Sequence, residues 1–203
     1  MHPVAWKSQI SSHVNRWSAA TFVAVGQWGF AGGVAIAVAL HPGFVLKANE
    51  GGISDYGVHL RTAVPYDLAL VCAALGAYLA ATHARDSANL LRGLRTVLLA
   101  YATLVAVTLA STFGYTLDRP QRDLHVGVGI VVTVFEVVAT LWMYGERRGD
   151  LHLVLVQLAG FVLGALTIVG LIHLLFVSEI VTGGSFAIVL YRTTRQSPSA
   201  ATR

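Results

Sequence analysis

The chain reads as an all-α, polytopic membrane bundle of six transmembrane helices with both termini cytoplasmic. Three observations carry that reading. Charged residues are only 12% of the 203-residue chain and mean hydropathy is +0.65, which leaves too little polar surface for a water-soluble fold. Apolar blocks fill the chain from Ala19 to Tyr191, several at the length of about 20 residues that carries a helix across hydrocarbon. Lys and Arg collect in alternate connections between the blocks, the asymmetry that orients membrane proteins.

Taken in order, residues 1–18 place Trp6, Ile10, Val14 and Trp17 on one helical stripe, with Lys7, Ser11, Asn15 and Arg16 mostly on other faces. That pattern predicts an amphipathic helix lying in the membrane interface, with a disordered tail as the rival. No short apolar core with a small-residue cleavage pattern marks a secretory signal. A single transmembrane domain over 19–195 follows. Five blocks are long enough to span: Ala19 to Leu40, Val64 to Thr82, Thr96 to Leu117, Leu124 to Tyr144 and Leu151 to Val177. A sixth, Ser178 to Tyr191, is short and begins at Glu179. It spans only if Arg192 to Arg195 reach the headgroups, and five crossings plus a half-inserted helix is the alternative. Residues 196–203 close a Ser-, Thr- and Ala-rich stretch expected to be disordered.

Charge arithmetic favours six crossings. Lys7, Arg16, Arg85, Arg92, Arg95, Arg147, Arg148, Arg192, Arg195 and Arg203 fall on one side, against Lys47, Arg61, Arg119 and Arg122 on the other. The positive-inside rule then puts both termini in the cytoplasm and the connection 42–63 outside. Twelve Arg against two Lys, with abundant Ala and Val, suggests a high-GC bacterium and a bacterial plasma membrane. The net charge of +4 is spread over connections between spans, so it carries topology and not a nucleic-acid footprint. Cys72 stands alone in the second block, a small core residue outside any disulfide framework.

The connection 42–63 is long for a membrane bundle, and loops of that length are more often functional than mere linkers. Gly51, Gly52 and Gly57 permit tight turns there, and Ser54-Asp55 can cap backbone groups. Within the spans, Gly29 with Gly33 and Gly160 with Gly164 have the small-xxx-small spacing of close helix contacts, read as packing within one bundle ahead of dimerisation.

Ionisable residues inside the membrane are costly and are functional suspects by default. Glu136 lies mid-helix in the fourth block, and His125 precedes it by eleven residues. Eleven steps of ~100° return to the same face, about 16 Å away along the axis. Gly129, Thr133 and Thr140 lie near that stripe; Asp67 and Tyr78 share the eleven-residue spacing in the second block, and Tyr101, Thr108, Thr112 and Tyr115 run along the third. One reading is a polar cleft opening outward, bounded by Asp55, Asp67, His125, Glu136 and Glu179. The other is polar glue between helices, with Glu136 bonded to a neighbouring Thr or Tyr.

Eight histidines raise the question of bound metal or haem. No HxxxH, HxH or CxxC spacing occurs, so the reading calls for no cofactor and no metal. A diheme electron-transfer protein is the distant rival. It would pair His83 with His152 near one face and use His59, His125 or His173 near the other.

The loop Ile53-Ser54-Asp55-Tyr56-Gly57 resembles the Ile-Ser-Asp-Thr-Gly signature of the DRAM/FRAG/Sfk family of six-helix membrane proteins and of related bacterial families of unknown function. His125 with Gly127 and Gly129 is similar to the family's opening of the fourth helix, and Glu179 to its Glu-Trp position, with Ile180 in place of tryptophan. Tyr56 replaces the threonine, and Pro65 alone remains of the usual Pro-Pro-Glu. The resemblance implies six helices, involvement with membrane lipid, and a shared outer cluster of Ser54, Asp55, His125 and Glu179; it supplies no catalytic residues.

Together these readings describe a protein that binds membrane lipid, or serves as an accessory or regulatory subunit of an envelope-lipid or glycolipid assembly, with a possible membrane-protein partner on its apolar helix faces and no nucleic acid. The competing class is an intramembrane lipid-modifying enzyme. Its acid–base pair would be His125 with Asp55 or Glu179, because all three lie at the outer boundary where headgroups sit. Ser54 and Asp67 complete the outer cluster, and Glu136, Thr133 and Tyr78 form the intramembrane polar set. In the structural version of the same cluster, Asp55 caps loop N–H groups and pairs with His125 to pin the loop.

Overall fold

The computed structural model describes residues 18–83, 90–114, 119–146 and 150–196, and every regular element among them is helical. The proposed interfacial helix 1–18, apart from Ser18, and the tail beyond Gln196 lie outside the described residues. Six helices are long and apolar enough to cross a membrane. They are α1 (Ala19–Leu40), α4 (Ala63–His83), α5 (Leu90–Thr112), α6 (Arg119–Gly145), α7 (Leu151–Ile168) and α8 (Leu175–Gln196). Between α1 and α4 lie a 3₁₀ turn (Pro42–Phe44) and two short helices, α2 (Val45–Gly51) and α3 (Asp55–Val58).

Each boundary has a local cause. Ser18 caps α1 in extended conformation, its hydroxyl accepting the Thr21 N–H at 3.2 Å. The fifth crossing ends earlier than its hydropathy suggests. Gly170 takes φ +78, its N–H donates to Thr167 O, and the Leu171 N–H donates to Leu166 O, the two bonds of a Schellman stop. Thr167 Oγ1 then accepts the Leu174 N–H at 3.2 Å, and the chain turns back. The apolar residues Leu175 to Val177 therefore belong to α8, which has 22 residues and is a full crossing, not the short helix expected from Ser178. The third crossing shifts the other way, running from Leu90 to Thr112 instead of Thr96 to Leu117.

Six crossings put the described chain ends, Ser18 and Gln196, at one end of the bundle and the 41–62 connection at the other. Five helices close a ring in the order α1, α4, α5, α6, α8, and α7 packs outside it against α6 and α8. The most extensive pair is α1 with α4. Glycines set that pair. A Cβ on Gly26 would lie 2.8 Å from Cys72 O and 2.9 Å from Gly76 Cα, and one on Gly33 would lie 2.5 Å from Pro65 O. The small residues of α1 thus meet those of α4 backbone to backbone, as the Gly29 and Gly33 spacing anticipates. Gly160 and Gly164 likewise face Thr182 and Ser178 of α8. There Ser178 Oγ donates to Gly160 O at 2.8 Å, and Ser185 Oγ donates to Gln157 Oε1.

The glycine contact is testable against a neighbour on the same helix. Gly26→Ala should destabilise the protein by about 1–3 kcal/mol, the usual range for overpacking. Gly32→Ala, with nothing within 4 Å of the added methyl, should be neutral or slightly stabilising. Thermal unfolding of the two variants in the same detergent reads the difference.

Candidate functional site, a cavity under the interhelical connection

The ring of five helices does not close completely on its axis. It leaves a partly open cavity of about 100 Å³, room for several water molecules or one small polar group. Each helix contributes. α1 supplies Gln27 and Phe30; α4 supplies Tyr66, Leu70 and Ala73; α5 supplies Tyr101, Val105 and Thr108. From α6 come His125, Gly129, Val132, Thr133 and Glu136, the stripe expected from the eleven-residue spacing. α8 adds Glu179, Thr182 and Gly183, and Ile53 and Ser54 of the connection cover one side.

The cover is held by a specific contact. The Ile53 N–H donates to Glu179 Oε2, which joins the connection to the second turn of α8. Two adjacent glycines make the approach possible. Gly52 has φ +95 and its added Cβ would lie 2.9 Å from Glu179 Oε1, while one on Gly51 would collide with the Asp55 carboxylate. Residues 51–52 are therefore a backbone seat for two carboxylates, where any larger residue would displace one of them. Thr62 Oγ1 donates to Tyr56 O at 2.6 Å and fixes the far side of the turn. Tyr56 itself is buried in an aromatic group with Phe44 and Phe176, its phenol pKa raised by burial and its hydroxyl without a hydrogen-bond partner among the described residues.

His125 is 3% exposed, and its Nδ1 shares a 2.7 Å hydrogen bond with Ser111 Oγ on α5. The ring is thus positioned across the α5–α6 contact by a serine that sequence reasoning did not single out. Ser54 and Asp55 are buried as well; Ser54 lines the cavity, while Asp55 lies against Gly51. The contact that pins the connection is the one from Glu179 to Ile53. Ser54, although placed as the α3 N-cap, makes no side-chain cap bond.

Deeper in the bundle, Glu136 is 6% exposed and lines the cavity without a hydrogen bond to any described residue. Thr133, which lines the same cavity, gives its hydroxyl proton to its own helix, Oγ1 donating to Gly129 O at 3.0 Å. Tyr101 OH instead accepts from Gln27 Nε2 at 3.4 Å. The remaining expectations scatter. Asp67 is partly buried, with Oδ1 lacking a hydrogen-bond partner among the described residues, and does not line the cavity. Tyr78 is 51% exposed on the outer surface of α4.

The histidines also part company. His83 lies 4.5 Å from the Phe22 ring and 3.0 Å from Leu79 O, His152 is exposed beside Asp150 and Arg192, and His173 is exposed. His41 and His59 stack edge to face at 4.6 Å beside Phe44. Among the described residues no three His, Cys, Asp or Glu side chains gather as a metal site.

Gln27, Tyr66, Ser111 and Thr182 belong to the site by position and escaped sequence reading because none is ionisable at neutral pH. Gln27 alone left a signal, a lone amide in an otherwise apolar block.

The Glu179 contact makes a direct prediction. Glu179→Ala should speed amide hydrogen exchange in the peptide 45–58 by roughly tenfold or more, the loss expected for a charge-assisted hydrogen bond. Gly52→Ala should move the same peptide in the same direction, while α7 stays protected. Exchange followed by mass spectrometry on the detergent-purified protein reads both.

Compared with known proteins, the chain matches no family model, no curated protein and no solved structure.

Proposed function

We propose that this integral membrane protein binds lipid, its capped cavity receiving a headgroup, and that it acts as an accessory or regulatory subunit of an envelope-lipid or glycolipid assembly in a bacterial plasma membrane. One observation carries the reading: Glu136, Thr133, His125 and Glu179 converge on a cavity that Phe30, Leu70, Val105 and Val132 also line, inside a bundle of six helices long and apolar enough to span the membrane. Ligand sites have that composition, apolar walls with a few convergent polar groups. The resemblance of the Ser54-Asp55 loop to lipid-associated six-helix proteins supports the same reading. The Lys and Arg distribution favours the orientation with the connection outside.

Purification in mild detergent followed by native mass spectrometry is the test. A lipid retained at about one per chain, or a stoichiometric membrane-protein partner, is the expected result. Recovery of bare protein would count against the proposal.

A second reading has its own observation, since an imidazole held by a serine and two carboxylates line a single cavity. A lipid-modifying enzyme needs such an acid–base set. Lipid profiling of cells carrying His125→Gln separates the two. Unchanged composition favours binding, and accumulation of one lipid species with folding and partner intact favours catalysis.

Orientation is checked at Leu60, which is 94% exposed in the connection. In a Cys72→Ser background, Leu60→Cys should react with a membrane-impermeant maleimide on intact cells. Reaction only after the membrane is breached would reverse the topology.

A further inference from the structure

We propose that the cavity binds a positively charged organic ammonium group, seated between Glu136 and Glu179. The proposal rests on the cavity reading above and names the chemistry it selects. Glu136 is the starting point. It is 94% buried by its 6% exposure, faces the cavity, and has no hydrogen-bond partner among the described residues. A carboxyl group at that depth is costly without a partner, so it calls for one from the cavity side.

The rest of the lining defines the partner. Two glutamates and no Lys or Arg are present among the lining residues, so the cavity offers a cation oxygen acceptors and offers phosphate no cationic side chain of that kind. Leu70, Val105 and Val132 offer carbon contacts, and Phe30 and Tyr101 add aromatic rings. A small hydrated ion would leave those walls facing water. The absence of a three-ligand cluster among the described residues argues for an ammonium over a metal, because –NH₃⁺ needs only a few acceptors around one pole. Glu179 lines the same cavity and accepts from Ile53 through Oε2. Binding and capping then meet on one side chain.

An ammonium reaches the site from either of two sources, the amino headgroup of a lipid or a free organic amine. The experiment uses the full chain in maltoside micelles. Dodecylamine should bind at least about tenfold more tightly than its neutral N-acetyl amide, and Glu136→Gln should cut the amine affinity by a similar factor or more. Tyr78→Phe, on the outer surface of α4, should bind like the parent protein. Preferential retention of phosphatidylethanolamine over phosphatidylglycerol in native mass spectrometry identifies a lipid source. Ethylamine binding as well as dodecylamine identifies a free amine.

Equal binding of amine and amide, or an affinity unmoved by Glu136→Gln, overturns the proposal. The amine–amide comparison on the parent protein decides even where the variant does not fold. A retained lipid lacking an amino group, with no amine binding, defeats the ammonium assignment while leaving lipid binding intact. Amine binding without any retained lipid does the opposite.

Discussion

The contact on which the rest depends is the backbone-to-backbone approach of α1 and α4 at Gly26 and Gly76. Helices this close need only a short connection, yet the chain places more than twenty residues between Leu40 and Ala63. The surplus cannot be absorbed in bridging distance. It folds into the 3₁₀ turn and two short helices, and α2 reaches across to α8. The tight half of the ring therefore produces the cover over its open half. In hydrocarbon this arrangement has a further requirement, because irregular backbone is tolerated only where its polar groups are satisfied. Glu179 meets it for Ile53 by accepting its N–H, which is why an acidic residue belongs in the second turn of a helix that otherwise crosses a membrane.

Glu179 is consequently shared between two jobs. Its Oε2 accepts the Ile53 N–H, and the side chain also lines the cavity. A ligand drawn to that carboxylate competes with, or reinforces, the bond that holds the cover. Gly52 makes the geometry strict, since its positive φ and its close approach to Glu179 Oε1 leave no room for a side chain. Ser111 performs the matching service for His125 on the opposite wall.

Much of this was legible in the sequence, for definite reasons. Spans follow from the length of apolar runs, and the glycine spacing in α1 and α7 marks close contacts, because in lipid only small residues let backbones meet. The Glu136–His125 stripe was visible because eleven residues complete three helical turns. What hydropathy could not locate was the break at Gly170. The residues on both sides are equally apolar, and the signal lies in a backbone conformation that only the local hydrogen bonds reveal. The anchoring partner of the connection was hidden for a related reason. A carboxylate at a helix start suggests a side-chain pair, but the Ile53 N–H that Glu179 accepts leaves no mark in the sequence. Asp67 and Tyr78 show the limit of spacing arguments: they share a face of α4, but that face turns partly outward.

The distribution of polarity argues for a site over glue. On the α7–α8 contact, helix-to-helix glue is made by hydroxyls, Ser178 bonding Gly160 and Ser185 bonding Gln157. The ionisable groups follow another rule. Glu136, Glu179 and His125 come from two different helices and converge on one cavity inside the ring. Were Glu136 present only to hold helices together, a hydroxyl at that position would do so at lower cost, as Ser185 does. Among its neighbours, Thr133 donates to its own helix, and Tyr101 accepts a hydrogen bond from Gln27. A carboxyl that lines a cavity without a hydrogen bond to a described residue is the group the proposed ligand would meet.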